Sequence, residues 1–167
     1  MLLNSPNNKP SSYNESDIVA LIGFKRYAEA YSLLERSKVD TIAHHYNMAI
    51  RLYKGELFAK ALQSIEKALG LIDRKMSNYG RLSEETATIM TLQATLDTHL
   101  APIDSQYTDS LGLFTMHNAV RIKVDCLVQL HMWEEVLKTS KRIETYNYNN
   151  IKIATSLAQR NLTHGRL

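Results

Sequence analysis

The chain has 167 residues, of which 44% are hydrophobic and 22% charged, with a net charge of +3 at pH 7. This length fits one domain that buries a core without disulfides, and the single cysteine, Cys126, excludes an intrachain disulfide. Lys and Arg alternate with Asp and Glu along most of the chain, so the weak positive balance does not argue for nucleic acid. The first residues lack a secretory-signal pattern, and no apolar run reaches the roughly 18 residues of a membrane span. We therefore expect a soluble, cytoplasmic protein.

The amino-terminal part predicts a tail followed by two helices. Residues 1–14 are rich in Asn, Ser and Pro without an apolar period, which predicts a disordered tail before a helical domain of residues 15–167. Ser16 or Asp17 can cap a first helix, and Gly23 marks a turn into a second. One face of that second helix is apolar: Tyr27, Ala30, Tyr31 and Leu34.

Two further helices follow, separated by a turn at Gly55. Asp40 can cap the third helix, and the fourth has the strongest amphipathic pattern in the chain. The periodic positions of the third are Ile42, Tyr46, Ala49, Ile50 and Tyr53, and those of the fourth are Phe58, Ala61, Leu62, Ile65, Ala68, Leu69 and Ile72.

The middle of the chain predicts one helix between two loops. Residues 76–82 and 101–110 are loops by composition, and Ser83 followed by two glutamates is a helix start. The apolar positions of this fifth helix are Ile89, Leu92, Leu96 and Leu100.

The remaining residues predict three more helices, the last two separated by a break at 146–150. No alternating pattern of useful length indicates a strand, so we expect an all-α chain of about seven or eight helices. Their apolar positions are Leu113, Met116, Val120, Val124 and Leu127, then Trp133, Val136, Leu137 and Ile143, then Ile151, Ala154, Leu157, Ala158 and Leu162.

Two short stretches resemble each other. Residues 27–30 and 58–61 both read aromatic, any residue, charged residue, alanine, and each lies shortly after a glycine. Residues 133–136 are a third copy with valine in place of alanine. An aromatic residue anchors the start of the second helix of a pair, and the small residue lets the two helices cross closely, so such units stack on one another.

This pattern resembles the tetratricopeptide repeat, with units at about 15–40, 42–75 and 115–146. The resemblance implies antiparallel helix pairs stacked as a short right-handed superhelix. Three features depart from the family. Ala30 and Ala61 are 31 residues apart instead of 34, and no unit has the usual proline after its second helix. Residues 76–110 also predict one helix and a long loop where a regular array would have a full pair. An irregular helical bundle is the alternative.

The residues that could carry chemistry do not form a catalytic or metal pattern. None of the six histidines is paired at i, i+4, and Cys126 has no base or cation beside it in the sequence. Adjacent glutamates at 84–85 and 134–135 diverge on a helix, and the glycines are scattered singly. We therefore expect no catalytic residue, no cofactor and no metal.

The resemblance implies instead a concave groove lined by the first helix of each pair, which would bind a peptide or helix of a partner protein. The residues expected to face or border that groove are Tyr46, Asn47, Ile50, Tyr53, Lys54, Asn118, Arg121, Asp125 and Gln129. Tyr, Asn and Arg suit recognition because they combine apolar area with hydrogen-bonding groups. For Tyr46 and Tyr53, a place in the core is an equal alternative.

A scaffold or adaptor is thus the expected function, without a membrane, and the sequence leaves homo-oligomer formation open. A small chaperone or assembly factor is the first alternative. The second is a regulatory helical domain that touches nucleic acid through Lys138, Lys141 and Arg142.

Overall fold

A computed structural model describes residues 14–37, 39–75 and 83–164, and these form α-helices and 3₁₀ helices without a strand. The expected all-α class is confirmed. Within those ranges there are nine α-helices: α1 Glu15–Gly23, α2 Tyr27–Ser37, α3 Ile42–Lys54, α4 Phe58–Lys75, α5 Glu84–Gln93, α6 Ser105–Ser110, α7 Gly112–Gln129, α8 Trp133–Ser140 and α9 Asn149–His164. The same ranges contain two 3₁₀ helices, Thr98–Leu100 and Lys141–Tyr146. None of the helices described is long and apolar enough to cross a membrane.

Two of the predicted helix caps are wrong. The side chain of Asn14, which we placed in the tail, accepts from the Ser16 amide and caps α1. Thr41 caps α3 in the same way, because Asp40 is held by the ring of His45 at 2.7 Å. A short polar side chain caps only where its oxygen reaches the free amides of the first turn.

Ser83 caps α5 as expected, whereas the predicted loop at 101–110 contains a helix. That helix is α6, whose amino-terminal amide at Tyr107 donates to the carboxylate of Asp104. The predictions for residues 1–13 and 76–82 lie outside the residues described.

Three helix pairs, α1/α2, α3/α4 and α7/α8, are joined by turns with the same backbone geometry. Each turn places one non-glycine residue at positive φ: Lys25 at 60°, Glu56 at 58° and His131 at 56°. The next amide donates to a carbonyl of the first helix in each case: Arg26 to Leu21, Leu57 to Leu52 and Met132 to Leu127. The second helix then begins with an aromatic residue: Tyr27, Phe58 and Trp133. The three related sequence stretches therefore occupy equivalent positions.

The small residue three positions after each aromatic lies in the core, as the repeat pattern predicts. Ala30, Ala61 and Val136 are all 0% exposed. A side chain larger than these would separate the helices that meet there, because protein cores are close-packed.

The helix pairs follow one another in space as they do in the chain. From α1 to α4 each helix packs against the next, α4 packs on α7, and α7, α8 and α9 continue the series. The first helices of the three pairs also contact in succession, α1 with α3 and α3 with α7, and α9 packs against α7. We call the face that they share the inner face. Helix α6 and the 3₁₀ helix Thr98–Leu100 lie against it.

Helix α5 differs from the prediction in length and in burial. It ends at Gln93, so Leu96 and Leu100 do not extend it. Only Met90 of this helix is buried, whereas Ile89 and Leu92 are 54% and 72% exposed, and Leu96 beyond its end is 53% exposed. The expected apolar face of the fifth helix is therefore largely a surface feature.

Replacing Ala61 by leucine is expected to lower the free energy of unfolding by about 1–3 kcal/mol, because the added carbons have no space at a fully buried helix crossing. Ala59→Leu, at an exposed position of the same helix, is the matched control and should change it by less than about 0.5 kcal/mol. Denaturant unfolding followed by circular dichroism measures both. Equal midpoints for the two variants would contradict close packing at Ala61.

Candidate functional site

The inner face is covered by the chain itself. Residues Ala94–Asp104, here called the crossing segment, run from the end of α5 to the start of α6. Beneath them lie five of the residues expected at an open groove, each almost fully buried: Tyr46, Asn47, Ile50, Asn118 and Arg121. The expectation of an open groove is wrong at these five positions, since all five are closed to solvent. Three of them, Tyr46, Asn47 and Arg121, bond to the crossing segment.

Four of the nine predicted residues keep contact with solvent. The Asp125 side chain is 16% exposed, Tyr53 is half-buried, and Lys54 and Gln129 are exposed. Partner binding by any of the nine residues stays a prediction. Tyr53, Lys54 and Gln129 lie at the carboxyl ends of α3 and α7, whereas Asp125 contacts His99 of the crossing segment.

Helix α3 holds the crossing segment by its main chain. The Tyr46 hydroxyl donates to the carbonyl of His99 at 2.6 Å. Nδ2 of Asn47 donates to the carbonyl of Ile103 at 2.7 Å, and the Ile103 amide donates to Oδ1 of Asn47 at 2.9 Å. One buried amide side chain therefore pairs both main-chain groups of a single residue, as a neighbouring strand would.

The helices α7 and α9 hold the start of the same segment. Nη2 of Arg121 donates to the carbonyl of Leu96 at 2.6 Å, and the Asn149 amide donates to that of Ala94 at 2.9 Å. The Arg121 guanidinium also lies over the Tyr148 ring, 4.5 Å from its centre. Burial lowers the pKa of Arg121 from its usual value, against the opposing influence of Tyr148 and of nearby carboxylates. A buried cation of this kind is stable only where such partners surround it.

One side chain of the crossing segment reaches α7 directly. Nε2 of His99 lies 2.6 Å from Oδ2 of Asp125, whose other oxygen accepts from Asn150 at 2.9 Å. His99 is 1% exposed, and its Nδ1 has no hydrogen-bond partner among the residues described. The segment is thus fixed by one polar side chain and by four main-chain positions.

The open end of the inner face is aromatic and polar. The ring of Tyr53 meets Phe58 edge-on at 5.5 Å between centres. Burial raises the pKa of Tyr53 to about 12, and the charges of Asp125 and Asp97 act in the same direction. Asp97 belongs to the crossing segment, so this open end adjoins the covered part of the face.

The described residues offer neither a cluster for a metal ion nor a reactive thiol. The described residues contain no group of three or more His, Cys, Asp and Glu side chains that could hold a metal ion. Cys126 is buried, and desolvation together with Asp125 raises its pKa to about 12, opposite to the shift of a nucleophilic thiol. In the basic segment proposed to touch nucleic acid, Arg142 pairs with Asp73.

An acidic and apolar surface is the feature that sequence reasoning missed. Residues 83–120 contain five Asp and Glu and no Lys or Arg. The rest of the chain holds all 20 Lys and Arg and 12 of the 17 Asp and Glu, so its net charge is +8. Within this acidic stretch lie Ile89, Leu92 and Leu96, which we call the α5 strip. The charge asymmetry was readable from the sequence, but periodicity assigned these residues to the core.

Comparison with protein-family models, with curated proteins and with solved structures found no match. The structure itself defines an all-α class of protein. Its paired helices pack in chain order, and they enclose one of the chain's own segments against their shared inner face.

Truncation of Asn47 to alanine is expected to lower the free energy of unfolding by about 1–3 kcal/mol, because both main-chain groups of Ile103 would be buried without a partner. Asn161→Ala is the control, since that amide bonds only its own exposed helix. Thermal and denaturant unfolding would compare them. If Asn47 lined an open groove, its truncation would change the free energy of unfolding as little as that of Asn161.

His117 is expected to make stability fall at acid pH. Burial, followed by the charges of Arg142 and Arg121, lowers its pKa to about 4, against the ordinary 6.5 in the unfolded chain. Between these two pH values the unfolded state binds more protons than the folded state. The free energy of unfolding therefore falls as the pH drops from about 6.5 to 4. The effect amounts to up to about 3 kcal/mol. Unfolding of wild type and His117→Gln at pH 7 and pH 4 tests it: the variant should lose less stability, and equal losses would contradict the assignment.

Proposed function

We propose that this protein is a protein-interaction module that binds a partner polypeptide at the α5 strip. The observation that supports it most is the exposure of Ile89 and Leu92 on a helix that contributes only Met90 to the core. Residues three apart on a helix are neighbours, so the two side chains form one apolar patch. A monomer gains nothing from an apolar helix face left in water, whereas a binding site requires one.

The partner that fits is an amphipathic helix whose apolar face is bordered by Lys and Arg. Glu84 and Glu85 at the start of α5 and Asp97 beyond its end are exposed, and no basic residue of the same stretch neutralises them. Carboxylates around an apolar patch favour basic partners and raise the rate of encounter more than the final affinity. Helix-in-groove recognition typically combines an apolar row with such charges.

The rest of the fold anchors this surface at its Leu96 end. The carbonyl of Leu96 is anchored by Arg121, and Asp97 lies near enough to Tyr53 for its charge to act on that hydroxyl. The α5 strip is therefore tied to the open end of the inner face, where the exposed Lys54 and Gln129 also lie. A scaffold or adaptor needs this combination of a fixed framework and an apolar site.

A pair of synthetic peptides tests the proposal. Both carry leucines on one face of a helix of roughly 18 residues, and the opposite face carries lysines in one and glutamates in the other. We expect the lysine peptide to bind, more weakly at high salt, and the glutamate peptide to bind at least about tenfold more weakly. Fluorescence anisotropy measures both.

Two matched variants locate the site. Leu92→Asp should weaken binding of the lysine peptide by about tenfold or more, because a charge enters the apolar contact. Ile153→Asp places the same charge at a 59% exposed position of α9 and should leave binding unchanged. Absence of binding, or equal losses in both variants, would remove the α5 strip as the interaction site.

A further inference from the structure

The crossing segment is bound to the inner face as a peptide is bound by a receptor. Its main chain is paired at both ends of its path, by Arg121 at Leu96 and by Asn47 at Ile103. Main-chain pairing gives affinity without regard to side-chain identity, as in recognition of extended peptides. The partners lie far apart in the sequence, 56 residues for Asn47 and Ile103, so this is contact between separate parts of the chain.

Two side chains of the segment, those of His99 and Ile103, are buried against the inner face. The ring of His99 meets the Asp125 carboxylate, and the aliphatic side chain of Ile103 is 4% exposed beside the Asn47 amide. The inner face therefore selects a hydrogen-bonding side chain, with imidazole as the example, followed four residues later by an aliphatic one.

The segment is held incompletely. Nδ1 of His99, Oγ1 of Thr98 and Nη1 of Arg121 are buried without a hydrogen-bond partner among the described residues. Each such group makes the bound arrangement less favourable than a fully paired one. Of the three, Nη1 of Arg121 belongs to the receptor face, and another occupant could accept a hydrogen bond from it.

The local sequence also favours a different conformation. Ile89, Leu92, Leu96 and Leu100 continue one helical period that would extend α5 as far as the residues before Pro102. In the structure α5 stops at Gln93, and Leu96 stays exposed. Tertiary contacts with the inner face thus hold the segment against its own helical pattern, a conflict that is typical of functional or switching regions.

We propose that the inner face is a binding site for an extended polypeptide, and that the crossing segment is its resident, exchangeable occupant. The partner segment has the chemistry of the occupant: a free main-chain amide and carbonyl at an aliphatic residue, and a hydrogen-bonding side chain four residues before it. The two sites share Leu96, whose carbonyl binds Arg121 and whose side chain is exposed. Their tests use different peptides, so each proposal can fail separately.

A peptide added in trans tests the exchange. The chain variant His99→Ala/Ile103→Ala loosens the resident segment and leaves the receptor residues Tyr46, Asn47 and Arg121 unchanged. A synthetic peptide of residues 93–105, with the natural sequence, should bind this variant and raise its midpoint of thermal unfolding. Wild type should bind the peptide at least about tenfold more weakly, because its tethered segment competes at high effective concentration.

A control peptide carries a methyl group on the main-chain nitrogen of Ile103 and so cannot donate to Asn47. It should bind the variant at least about tenfold more weakly than the natural peptide. Equal binding of the two peptides, or no binding by the folded variant, would overturn the proposal.

Hydrogen exchange in the wild-type protein is the second measurement. It tests whether the segment is exchangeable even if the double variant does not fold. An exchangeable occupant opens without global unfolding, so the Ile103 amide should exchange at least about tenfold faster than interior amides of α4 and α7. Exchange at the same rate as those amides would show that the segment leaves only when the protein unfolds, and would overturn the proposal.

Discussion

The arrangement of this protein depends on one constraint: main-chain groups that are removed from water must be hydrogen-bonded. The crossing segment is mostly neither α-helix nor strand, so its amides and carbonyls find few partners within it. Asn47 supplies two of those partners, and the Tyr46 hydroxyl supplies a third. These two side chains and Arg121, which binds the carbonyl of Leu96, therefore stabilise the docked segment, and this role explains their burial.

The framework that presents these side chains comes from the three equivalent turns. A residue in the left-handed region reverses the chain, and an aromatic residue two positions later begins the second helix. Glycine adopts this conformation most readily, yet Lys25, Glu56 and His131 occupy it, and no described glycine has positive φ. The favourable hydrogen bonds across each turn and the packing of the aromatic offset the modest strain of a non-glycine residue there.

Local patterns were sufficient to predict most helices and were insufficient for the inner face. The period of α4 and the start of α5 at Ser83 are properties of a few adjacent residues, and both are confirmed. The burial of Tyr46 depends instead on a carbonyl 53 residues away, which no periodicity in α3 reveals. For the same reason, the helical period placed Leu96 in α5, whereas it lies beyond the end of that helix and is exposed. What the sequence did show about this region, and what we overlooked, is its lack of basic residues.

The long reach of the crossing segment has a consequence for the order of folding. Each paired helix closes on its immediate neighbour, whereas Asn47 bonds Ile103 of the segment across 56 residues. Glu15 also accepts from the amide and the hydroxyl of Ser105, the residue that follows the segment, across 90 residues. Contacts that close long loops form slowly, because chain entropy is lost before they are made. We therefore expect the helix pairs to assemble first and the segment to dock last. A nascent chain would then present Asn47 and Arg121 to the cell for a short time before it covers them itself.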